Sequence, residues 1–98
     1  MPERRLHVLS FDISDDRRRL LMSRFLASRG DRVQWSVFEI LASSEEMEAL
    51  LGLATQSERF DPEADRLRCY PVCGSCRAQT RVFGVGGPPL GPGSPLVV

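Results

Sequence analysis

The stretch "RLHVLSFDI" is apolar on both of its alternating sets. Leu6 and Val8 share one face of an extended chain with Ser10 and Asp12, while His7, Leu9, Phe11 and Ile13 share the other. Side chains alternate across a strand, so a strand apolar on both sides needs cover on both sides. Helices laid on one face of a sheet satisfy half of that demand. The rest must come from further chain or from a second copy of it.

The segments that follow supply the helices. Ser14 is placed to N-cap a helix over 15–29, with Asp15 and Asp16 in its first turn, where the helix dipole favours negative charge. Leu21, Phe25 and Ser28 make one stripe with Met22 and Leu26 beside it, and Gly30 stands where a left-handed C′ residue is expected. "DRVQWSVFEI" then alternates Val33, Trp35 and Val37 against Gln34, Ser36 and Phe38. Its length suits one bent strand or two short strands turning near Trp35–Ser36. Ser43 and Glu46 have the spacing of a capping box, and Met47, Leu50, Leu51 and Ala54 follow at helical intervals to an end near Thr55. A polar loop through Pro62 leads to a strand in "DRLRCYPVC", and "TRVFGV" is a further short strand candidate.

The order β-α-β-(β)-α-β predicts an α+β sandwich of ferredoxin-like type, with both helices on one face of one sheet. Residues 1–84 form that domain. Residues 85–98, "VGGPPLGPGSPLVV", are a Pro/Gly linker ending in apolar, β-prone Leu96, Val97 and Val98, which suit docking on a sheet edge. A homodimer through the sheet is the simplest cover for the second face of the first strand.

The formal net charge is zero, but it is unevenly spread. Residues 1–42 hold eight Arg and six acids, residues 43–65 one Arg and seven acids, and residues 66–98 four Arg and no acid, giving +2, −6 and +4. Basic ends and an acidic middle permit a nucleic-acid partner without requiring one. Every basic residue is Arg, the side chain with planar, bidentate reach to phosphate, although a GC-rich genome or a thermophilic habit explains the bias better. With no run of ~20 apolar residues and no leader before the first strand, no membrane span or signal peptide is expected, and the cytoplasm is the expected location.

Asp12 sits where the first strand leaves the sheet, a common place for functional groups. One carboxylate is a poor Mg²⁺ site, whereas two, one from each subunit across a two-fold axis, suit an ion that keeps several waters. The competing reading is that Asp12 staples the strand–helix turn. Asp15 and Asp16 fit ordinary helix-start chemistry. Arg17, Arg18 and Arg19 lie ~100° apart around a helix and cannot all meet one phosphate. Cys73 and Cys76 have C-x-x-C spacing, with Cys69 nearby and His7 the sole histidine. A Cys₃His zinc site, a redox pair, and plain packing or an adventitious disulfide are all open to that set, the last being the commonest.

"VLSFDISDDRRRLLMSRFLASRGDRVQWSVFEI" together with "RLRCYPVCGSCRAQTRVFG" resembles the small CRISPR-associated proteins of the Cas2 family across residues 6–84. The strongest marks are the strand end Phe11–Ser14 and "RVQWSVFE", Arg32–Glu39. The resemblance implies a ferredoxin-like homodimer in which the last strand of one subunit lies on the sheet of the other. It implies a metal-dependent endonuclease acting on RNA or duplex DNA, or a non-catalytic bridge to the CRISPR integrase subunit during spacer acquisition. By position, Asp12 matches the catalytic, metal-binding acid that would share Mg²⁺ or Mn²⁺ with its twin, and Arg19, Arg32 and Phe38 match positions of nucleic-acid contact. Two departures stand out: Leu21 replaces a basic residue of the family's helix, and Phe11 replaces a frequent Tyr.

Overall fold

The computed structural model describes residues 3–56 and 58–84. Its elements run β1 (Arg5–Asp12), α1 (Asp16–Ala27), β2 (Asp31–Gln34), β3 (Val37–Ala42), α2 (Ser44–Ala54), β4 (Arg66–Val72) and α3 (Gly74–Gln79). The four strands form one antiparallel sheet in the order β2-β3-β1-β4. This is the α+β, ferredoxin-like arrangement expected, with β1 and β3 in the middle. "DRVQWSVFEI" resolves into two strands, because the chain turns at Trp35–Ser36. The tail, with Leu96–Val98, lies outside the described residues.

One face of the sheet carries the core. Leu9, Phe11 and Ile13 from the β1 segment and Phe38, Ile40 and Ala42 from β3 meet Met22 and Leu26 of α1 and Met47, Leu50 and Ala54 of α2. Within α1 the buried stripe is Met22 and Leu26, one position round from Leu21 and Phe25, which are only half-buried. His7, on this same face, is buried, and its Nδ1 lies 3.0 Å from the Arg5 carbonyl. The opposite face is the one that β1 left unexplained. Leu6 is buried there, Val8, Val37, Leu41 and Val72 are half-buried, and Tyr70 is exposed.

Local signals decide where the helices start. Ser43 accepts from the Glu46 N–H at 3.1 Å and Glu46 accepts from the Ser43 N–H at 2.9 Å, completing the capping box. For α1 the cap falls one residue later than expected: Asp15, not Ser14, accepts from the Arg18 N–H at 2.9 Å. Aspartate caps as well as serine does, and this choice leaves Asp16 in the first turn. Directly after β4 a short helix, α3, forms over Gly74–Gln79, and the strand expected in the following "TRVFGV" is reduced to a single bridge residue at Val82, with Val85 outside the described residues.

Gly30 is required, but not for a left-handed backbone, since Gly84 alone has positive φ among the described residues. A Cβ on Gly30 would stand 2.3 Å from the Glu39 carbonyl oxygen and 2.6 Å from Cγ1 of Ile40. The α1–β2 link thus passes hard against β3. Gly30→Ala is expected to destabilise the fold by about 1–2 kcal/mol, limited because edge strand β2 has room to shift outward. A urea melt reading the midpoint against wild type checks it.

Candidate nucleic-acid interface and the Asp12 strand end

Asp12 ends β1 on the open face of the sheet, directly across from Arg66 of β4. Its neighbours along that face follow from register: Ser10 opposite Arg68, and Val8 opposite Tyr70. The Arg68 guanidinium donates to the Tyr70 hydroxyl at 3.2 Å, which holds its pKa up and the side chain along the strand. Asp12 is exposed and makes no side-chain hydrogen bond among the described residues. The turn-stapling role that would explain it structurally belongs to Asp15. Arg66 and Arg68 were missed as site residues, although the alternation in "DRLRC" already places them on one face.

Arg19 and Arg32 meet elsewhere. Arg19 Nη1 donates to the carbonyls of Ile13 and Ser14, each at 3.2 Å, and its Nη2 pairs with Asp16. Arg32 donates from Nη2 to the Trp35 carbonyl at 3.1 Å and lies over the Trp35 ring, 4.5 Å from its centroid. The two arginines line one open groove of about 500 Å³ with Asp16, Leu20, Ser23, Trp35 and Ser36. Asp12 does not line it. Phe38 is a correction: it is wholly buried and stacked on Phe11 at 6.2 Å, so its ring has no surface to offer a nucleic acid. It sits beneath Arg32, 5.9 Å from the guanidinium, and supports that side chain. Arg18, meanwhile, is spent on structure, in a two-pronged pair with Asp65.

Near α3, Arg77 brings positive charge towards Glu39, a half-buried acid on the open face. Burial raises the Glu39 pKa, Asp31 across β2 raises it further, and Arg77 acts in the opposite direction. The Cys₃His set that the spacing left open does not assemble, for among the described residues no three His, Cys, Asp or Glu side chains converge on a metal position. Cys69 faces the core side of β4, whereas Cys73 and Cys76 are exposed on the far side of the strand end. The pair stands at a helix start, because α3 forms there. A hydrogen bond from the Ser75 hydroxyl, with further help from Cys76, lowers the Cys73 thiol to about 7, while Cys76 is raised by Cys73 and Cys69 by burial. Cys73 is therefore expected to alkylate about tenfold faster than either other thiol at neutral pH, with a rate that climbs through about pH 7. Peptide mapping after timed iodoacetamide exposure measures it.

Fold, groove and strand-end carboxylate define a small ferredoxin-like protein with an arginine-lined surface. The family model described as CRISPR associated protein Cas2 matches residues 5–80. The chain belongs to the Cas2 family. It is 42% identical over 85 residues to a CRISPR-associated endoribonuclease Cas2 of Chloroflexus aurantiacus, covering 85% of this chain and 88% of that one. It is 41% identical over 83 residues to a CRISPR-associated endonuclease Cas2 of Thermus thermophilus, covering 85% and 86%. Among solved structures, a hypothetical protein of Thermus thermophilus superposes with a TM-score of 0.75 at 40% identity over 89% of this chain and 99% of its own. Streptococcus pyogenes Cas2 shares the fold alone, with a TM-score of 0.68 at 21% identity over 81% of this chain and 99% of its own. Among the described residues no helix is long and apolar enough to cross a membrane.

Proposed function

We propose that this protein is a cytoplasmic, divalent-metal-dependent endonuclease of the CRISPR adaptation stage, hydrolysing phosphodiester bonds of RNA or DNA as a homodimer. The observation that carries the reading is Asp12: an exposed carboxylate, free of structural duty among the described residues, flanked by Arg66 on the open sheet face. Relatives named as an endoribonuclease and an endonuclease support it. One chain offers half a metal site, a single carboxylate, and Asp12 of a second copy would complete it for Mg²⁺ or Mn²⁺. When bound there, the ion supplies Lewis acidity towards a phosphodiester and its attacking water. Arg66 and Arg68 hold the backbone beside the scissile bond and offset its charge, as charge-assisted donors do.

The incomplete site of a single chain also favours a second reading, a non-catalytic dimer that holds duplex DNA through its arginines and bridges the integrase subunit. Incubating purified protein with end-labelled RNA and duplex DNA, with Mg²⁺, Mn²⁺ or chelator, separates the two. Internal cuts that appear only with metal support the nuclease. A protein that never cuts yet co-purifies with integrase and duplex DNA supports the scaffold.

A further inference from the structure

Trp35 is the most exposed large apolar side chain among the described residues, 83% accessible at the tip of the β2–β3 hairpin. Burial does not account for it, since the indole lies outside the core cluster. It is nevertheless held in place. Arg32 clamps the hairpin tip through the Trp35 carbonyl and covers one face of the ring. On one side of this pair lies the groove of about 500 Å³ that Arg19, Ser23 and Ser36 help to line. On the other lies a second opening of about 310 Å³, bounded by Arg32, Val33, Gln34 and Trp35. The indole and guanidinium together form a wall shared by both.

We propose that Trp35 is a stacking platform for one unpaired base, so that the groove between α1 and the β2–β3 hairpin takes single-stranded nucleic acid. This rests on the reading that the chain binds nucleic acid. A projecting indole has nothing to stack on in an intact duplex, whose bases already cover one another. An unpaired base covers the free face of the ring, and Arg32, polarised against the other face, reaches the adjoining phosphate together with Arg19. Ser23 and Ser36 line the same groove, and hydroxyls there suit sugar or phosphate oxygens. Aromatic stacking accepts any base, so the platform selects strandedness rather than sequence.

Trp35 is the sole tryptophan of the chain, which makes the contact directly visible. Titrating the intact protein with a single-stranded oligonucleotide, RNA or DNA, should quench indole fluorescence, while the matching duplex at the same ionic strength should quench it little. Trp35→Ala should weaken single-strand binding roughly tenfold to a hundredfold and duplex binding less than threefold, with the melting temperature unchanged, and Trp35→Phe should restore most of the loss. Equal effects on both forms, or none on the single strand, overturn the proposal while leaving nucleic-acid binding intact. A changed oligomeric mass for Trp35→Ala overturns it in favour of a protein contact. Wild type that binds neither form overturns both this proposal and the reading beneath it.

Discussion

Asp12→Ala should reduce metal-dependent cleavage at least a hundredfold, to the level seen with chelator, and leave the melting temperature within about 2 °C of wild type. The two halves of that expectation have separate grounds. Loss of a carboxylate that orients or holds a catalytic cation removes stabilisation present in the transition state, where single groups are commonly worth factors of 10²–10³. The neutral effect on stability follows from exposure: Asp12 is open to solvent, and the cap of α1 is supplied by Asp15. Surface substitutions free of caps and buried partners change stability by only about 0.5 kcal/mol. Binding gives a third readout. Asp12 stands across from Arg66, so its removal leaves that face more positive and nucleic-acid affinity should hold or rise. Cleavage gone with binding intact identifies a chemical role. A drop in melting temperature would instead mark Asp12 as structural, and cleavage that survives both substitution and chelator would remove the metal reading.

The layers of the fold were legible because they depend on periodicity. β1, β4 and α2 fall where alternation and a capping box place them, and the second apolar face of β1 is a real feature of the sheet. The reason for Gly30 was not legible, since it depends on Glu39 and Ile40, residues nine and ten positions away that only strand pairing brings near. α3 escaped notice for a different reason. Six residues are too few for a hydrophobic period to show. At the candidate site, Asp12 was placed on the correct face by alternation alone, whereas its Arg66 neighbour depends on the β1–β4 register. Phe38 shows the opposite limit: a position matched by resemblance proves to be core, and Arg32 above it is the group that meets solvent.

Asp65→Ala is expected to lower the melting temperature by roughly 10–15 °C, through one acid that no motif singled out. The Asp65 side chain is fully buried and accepts from Arg18 Nε at 2.8 Å and Nη2 at 3.2 Å. It also accepts from the Asp61 N–H at 2.9 Å, closing the turn that delivers the chain into β4. Removing it strands that N–H and leaves Arg18 facing a void. Arg18 retains some access to water, which keeps the loss near the lower end for a broken buried pair. Asp65→Asn preserves shape and an acceptor oxygen, and should lose about half as much. The Arg18 hydrogen bonds hold the Asp65 carboxyl below the usual carboxylate range, against the opposing pull of burial. A pKa lower in the folded than in the unfolded chain contributes stability that is complete above the unfolded value, about 4, and fades as pH falls through the folded one. The gap in melting temperature between wild type and Asp65→Ala should therefore be constant from about pH 7 down to about pH 5 and narrow below about pH 4, as thermal melts across that range would record. Asp65 immediately precedes Arg66, so the same substitution should loosen the register that sets Arg66 opposite Asp12. Cleavage measured well below the lowered melting temperature should then fall severalfold, whereas a rate equal to wild type would separate the turn from the site.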